Sequence, residues 1–239
     1  DTVQLASAIG REFEFQLLRD MSAKDDADIQ RDINALIDVG LIVNQRSTDD
    51  DRYIFKHALV RDAAYESIPI KSRAHTHELI FKALSERHLL GKQIHFTVES
   101  FNFSFESDAE NVIPYDLLSF HAERAGKLER AATFLLYHAV KNLILSEYQL
   151  TENACLQVKN LCRDDHLNDT LLLFAEVILC HSLVAKSGYS DPTLKASYEN
   201  ALALCCDATS HKISAQINYG LFSYYASYGK FEDSLPYAK

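Results

Sequence analysis

Apolar residues recur along this chain mostly at the three- and four-residue spacing that lines one face of a helix. Val3, Leu5, Ala6 and Ile9 predict a short first helix that Gly10 ends. Phe13, Leu17, Leu18 and Met21 mark a second. Ile29, Ile33, Leu36, Ile37 and Leu41 mark a third, with Ser22 or Asp25 as its N-terminal cap and Gly40 as its end. Two β-prone runs follow, Leu41-Ile42-Val43 and Tyr53-Ile54-Phe55, on either side of a polar stretch holding Asp49, Asp50 and Asp51. Three helices and then a β-hairpin are the order of a winged helix. Helices from about 57 to 67 and 72 to 89 complete a first unit, residues 1–90.

Between 91 and 113 the pattern switches to period two (Ile94, Phe96, Val98, then Phe101, Phe103, Phe105). That pattern favours an extended or irregular linker. From 114 to 239 it is helical again, with a stripe of Ala132, Leu135, Leu136, Ala139, Val140, Leu143 and Ile144. Further helices are expected near 149–163, 168–186, 191–206, 211–227 and 231–239. Tyr148, Tyr189 and Phe231 each stand beside a Ser or Gly turn, 41 and 42 residues apart, and open helices containing Ala154, Ala196 and Ser234. A helix–turn–helix unit repeated at that spacing predicts an α-solenoid, tetratricopeptide-like but longer than the usual ~34 residues. The fold class expected is therefore mainly all-α, a winged-helix-like domain with a small hairpin followed by a tetratricopeptide-like α-solenoid. Seven glycines and four prolines in 239 residues are too few for a barrel or sandwich of many short strands.

The net charge of −10 repels phosphate backbones and anionic lipid unless a basic patch intervenes. The segment Asp25–Asp38, where a winged helix places its recognition helix, carries five Asp against one Arg, which disfavours nucleic acid as a partner. A DNA-binding transcription regulator with a helical-repeat sensor is the alternative function. No run of 18 apolar residues and no signal-peptide pattern occurs, so no membrane partner and a cytoplasmic location are expected. Cys155, Cys162, Cys180, Cys205 and Cys206 fall inside helical patterns at no metal-ligand spacing and are expected as reduced core thiols. Asp1 in place of Met, and a helical pattern still running at Lys239, suggest a piece of a longer protein.

Catalytic motifs are not found. Gly91-Lys92, Gly126-Lys127 and Gly229-Lys230 lack the Ser or Thr that completes a phosphate loop. His75 and His77 are two apart on a helix, so they point to different faces. No catalytic residue, no metal ligand and no cofactor are expected. The most distinctive stretch is Tyr53 to Ile68, in which His57 leaves the hairpin and enters a helix ahead of Arg61-Asp62. An imidazole beside free helix amides makes an anion site, and a plain N-terminal histidine is the other reading.

Three strings occur in order: Leu5-Ala6-Ser7-Ala8-Ile9-Gly10-Arg11-Glu12-Phe13, Phe55 to Ile68, and Leu118-Ser119-Phe120-His121-Ala122-Glu123-Arg124-Ala125-Gly126. Together they resemble the region that follows the ATPase domain in bacterial STAND-type signalling ATPases, which are often fused to adenylate/guanylate cyclase, kinase or DNA-binding output domains. The likeness covers about residues 1–160. It implies a non-catalytic regulatory and protein-interaction fragment whose winged helix packs on an intramolecular ATPase domain binding ADP or ATP. Its repeats would dock a protein or peptide ligand. In that superfamily a Met-His-Asp histidine reaches the ADP phosphates. Lys56-His57-Ala58 looks like that motif, with Lys56 in place of Met and Ala58 in place of Asp, so the resemblance implies nucleotide sensing by His57.

Overall fold

The computed structural model describes residues 1–46, 51–89, 113–163, 169–206 and 211–238. The 91–113 linker expected from the sequence lies outside them, apart from Ile113. The described chain is mainly helical with one small three-stranded antiparallel sheet. It forms two compact units, one from 1–92 with 120–127 and one from 93–119 with 128–239.

The first unit begins with α1 (Thr2–Ile9), β1 (Glu12–Glu14), α2 (Phe15–Met21) and α3 (Asp26–Asp38). Asp25 caps α3, its carboxylate accepting from the Asp28 amide at 2.8 Å. Gly40, at φ +72°, closes it: the Gly40 and Leu41 amides donate to the carbonyls of Ile37 and Leu36, the paired bonds of a Schellman end. The hairpin is β2 (Ile42–Arg46) and β3 (Asp51–Phe55), and α4 (Ala58–Glu66) and α5 (Ile70–Leu89) follow.

Phe13, expected in a helix, lies instead on β1, which pairs with β3 so that the strand order is β1-β3-β2. The local reason is alternation: in Glu12-Phe13-Glu14 the single apolar side chain faces inward, opposite Tyr53 and stacked on it at 5.7 Å. Phe55, two residues on, shares that face, and both rings are buried with Ile29, Ile33, Leu18 and Ile80. Arg87 of α5 reaches Glu14 at 2.6 Å and Gln16 at 3.2 Å, fastening the helix to the strand.

Helix α6 (Tyr115–Arg124) gives its first residues to the second unit and its last to the first. The second unit continues with α7 (Leu128–Ile144), α8 (Tyr148–Arg163), α9 (Asp169–Ser187), α10 (Leu194–Ala203), α11 (His211–Ser227) and α12 (Phe231–Ser234), then a 3₁₀ turn at Leu235–Tyr237. Each helix from α7 to α12 packs on its sequence neighbour, and α7 also reaches α9. Left-handed residues end four of the helices: Gly126, Ser146, Gly188 and Gly229, with φ between 62° and 77°. Hydroxyls stitch the pairs together. Ser119 donates to the Ala131 carbonyl, Thr151 to Ala139, Ser182 to Tyr148 and Ser227 to Tyr189.

Four details depart from the sequence reading. Ile144 is exposed rather than part of the core stripe. Tyr189 does not open a helix; an Asp191–Thr193 turn delays α10 to Leu194, and the shifted register exposes Ala196 and buries Ser197. Cys205 and Cys206 fall just past α10, and Cys206 is exposed. Finally, α9 averages a hydropathy of 1.5 over an 18-residue window, long and apolar enough by composition to cross a membrane. In the fold it is the central helix of the second unit, with eleven residues buried.

Candidate functional site

His57 stands where the backbone leaves β3 and turns into α4. The register is fixed one residue earlier, where the Lys56 amide donates to the Leu41 carbonyl at 3.0 Å. His57 is the N-terminal cap residue of α4 in extended conformation, and its carbonyl accepts from Val60 and Arg61. Its side chain is exposed and makes no hydrogen bond among the described residues. No acidic residue occupies the first turn, so the partial positive charge of the helix end is uncompensated. Arg61 does not join His57. Its guanidinium turns back to the Ser7 carbonyl of α1 at 3.0 Å and to Asp62 at 2.9 Å.

The remainder of α4 is unusual for an apolar helix. None of its nine residues is buried, and Leu59, two positions after His57, is 81% exposed. Arg61 and Tyr65 hold the opposite side of the helix in the fold, Tyr65 through hydrogen-bond distance to His77. The surface from His57 to Leu59 therefore presents an imidazole, uncapped amides and an apolar side chain together.

Helix α3 is acidic, and its one cation is exposed on the surface. Arg31 pairs with Asp28 at 2.7 Å. Asp32 accepts from Lys24 at 2.5 Å and from the Thr2 hydroxyl, and those bonds hold its carboxyl below the usual range.

In the second unit Tyr224, Tyr225 and Tyr228 pack on other residues of the fold. Tyr224 lies within 5.5 Å of both others, Tyr225 stacks on Tyr237 at 5.8 Å, and Tyr228 donates to the Ser190 carbonyl at 2.7 Å. A cleft of about 380 Å³ opens between α9, α10 and α11, with Tyr189, Tyr198 and Tyr219 on its walls. A second hollow of about 290 Å³ shares Ala215 and Tyr219 with it. Sequence periodicity missed these three tyrosines because they come from a turn and two different helices. Close approach of α11 to α10 depends on Gly220: a Cβ built there would lie 2.1 Å from the Tyr198 Cζ, far inside contact distance.

The same unit buries one charge. Glu176 is 3% exposed and pairs with Lys159 at 2.5 Å, while Asn200 donates to the same carboxylate oxygen at 3.3 Å. Burial, followed by the Glu176 carboxylate, raises the Cys155 thiol to about 12, and Cys180 is shifted in the same direction for the same reasons. Thiols held protonated in this way are poor nucleophiles and poor metal ligands. No family model, no curated protein and no solved structure matches this chain.

Proposed function

We propose that this chain is the non-catalytic regulatory and protein-interaction part of a STAND-type signalling ATPase. Its first unit is read as a winged helix that couples nucleotide state to the second, a tetratricopeptide-like solenoid. One observation carries the reading: α4 opens with an exposed His57, no side-chain cap and an exposed Leu59. A helix end of that kind suits an anion, and an exposed leucine beside it suits a partner that excludes water. An ATPase domain holding ADP supplies both, its phosphates meeting His57 and its protein surface covering Leu59. The five Asp against one Arg over Asp25–Asp38 weigh against DNA as the partner of α3. The cleft of Tyr189, Tyr198 and Tyr219 is where the solenoid would dock a protein or peptide. On this reading the fragment hydrolyses no nucleotide by itself and works in the cytoplasm.

The test is ADP release from the parent ATPase carrying His57→Ala or Leu59→Asp. Loss of one hydrogen bond to a charged phosphate is worth about 1.5–3 kcal/mol, so His57→Ala should speed release roughly tenfold or more. Leu59→Asp should act in the same direction with no loss of fold stability. Unchanged release in both variants removes α4 from nucleotide sensing and the reading with it.

A further inference from the structure

The first unit also buries two histidines that the proposed coupling role does not use. His77 on α5 is 1% exposed and His121 on α6 is 0% exposed. Their Nδ1 atoms are 2.9 Å apart, with ring centroids at 5.1 Å. At that distance the two nitrogens share a single hydrogen. His77 Nε2 lies 2.9 Å from the Tyr65 hydroxyl of α4, while His121 Nε2 is buried with no partner among the described residues.

The charges nearest the pair are cationic, although Arg61 is itself bound to the Asp62 carboxylate at 2.9 Å. Arg61 and Arg73 lie over the Tyr65 ring at 5.6 and 5.1 Å, and Arg124 lies over Phe120 at 3.7 Å beside His121. Glu78, next to His77, is bound to Lys127 at 2.7 Å. Helix α1 contributes no charged residue, and on α2 Arg19 and Asp20 pair with each other. Among the described residues no carboxylate hydrogen-bonds either imidazole.

Counting protons shows what this arrangement tolerates. Two neutral imidazoles carry two N–H groups, one between the Nδ1 atoms and one on an Nε2. A third proton has to occupy the remaining Nε2, creating a buried imidazolium near Arg61 and Arg124. If it falls on His121 Nε2, no acceptor receives it. A fourth would set one N–H against another across the Nδ1 contact. We propose that the His77–His121 bond is an acid-sensitive latch holding the second half of α6 on α5, closed while the pair carries two protons and opened by a third.

The electrostatics agree in direction. Burial, then the nearby Arg124 and Arg61, lowers His77 to about 4. Burial, then His77 and Arg124, lowers His121 to about 3. Once freed, each ring returns toward its ordinary value of about 6.5. A group depressed in the closed state stabilises that state above its open-state value. The stabilisation is lost as pH falls from about 6.5 toward 4. Between pH 7 and 5 the opening constant should rise about 25-fold if opening takes up one proton, and several hundredfold if it takes up two.

Amide hydrogen exchange at Ala122–Gly126 of the 239-residue chain, corrected for the intrinsic pH dependence, reads that constant directly. The expected result is a rise of about 25-fold or more in the wild type and a flat profile in His77→Phe/His121→Leu. A rise below about threefold in the wild type, or an equal rise in the variant, overturns the latch. Ring-nitrogen NMR of the wild type is independent of whether the variant folds. Both histidines should stay neutral down to the pH at which these amides open, and two rings titrating freely near 6.5 with α6 still protected would refute the proposal.

Discussion

The first unit ties together residues far apart in sequence, whereas the second is built almost wholly from neighbours. In the first, Thr2 bonds Asp32, Gln4 reaches Ser67, and Arg87 holds Glu14, pairs separated by 30, 63 and 73 positions. Strand β3 lies between the other two, so its side chains serve the whole core at once. In the second, α7 through α12 pack in sequence order, and the longest reach among them is from α7 to α9. A core closed by distant contacts is expected to melt as one body. A stack of neighbours is expected to fray from the site of damage.

Substitutions in each unit put that contrast at risk. The largest effect is expected for Phe55→Ala, at a fully buried position on the central strand, with a loss of about 4 kcal/mol. Urea unfolding followed by amide exchange should show the sheet, α3 and α5 losing protection together. If α3 stays protected while the strands exchange, the first unit is no more cooperative than the second.

Gly220→Val comes next, at about 3 kcal/mol, because the new side chain must displace the buried Tyr198 ring. Exchange should quicken in α10 to α12 and remain slow in α7. Loss of protection in α7 would break the nearest-neighbour picture. Lys159→Met is expected to lower stability by about 2 kcal/mol, by stranding the Glu176 carboxylate; the partial exposure of Lys159 keeps this below the loss of a fully buried partner. Adding Glu176→Gln should restore most of the melting temperature, and a purely additive double variant would show that the two residues are not coupled. The smallest change is a gain. Ser146→Gly should add about 0.5–1 kcal/mol by relieving a left-handed backbone at φ 62°, seen as a small rise in the urea midpoint.

Most helices were legible because their apolar spacing is long and regular. Gly40 and Gly126 announced turns by their conformational freedom, and Asp25 announced a cap by its side chain. Strand β1 was hidden, since three residues beside a helix give no pattern of their own and Phe13 fits either neighbour. The shift of α10 was hidden as well, because an Asp191–Thr193 turn changes register without changing the hydrophobic count. His57 could be singled out from its place after the hairpin, but the exposure of Leu59 beside it depends on tertiary packing. His77 and His121 are 44 positions apart, and no local signal links them. Gly220 reads in sequence only as a weak point in a helix, although sterically it is a contact surface.

Ser146 shows how a succession of bends can outlast the letters that spell it. From α6 onward, three of the four left-handed turns among the described residues keep glycine, and the fourth holds the same backbone with a residue that resists it. Tracing kinship by glycine would find three joints in that array, and superposing their geometry would find four. Relatives of this array are therefore better sought by the path of the chain than by the spelling of its turns.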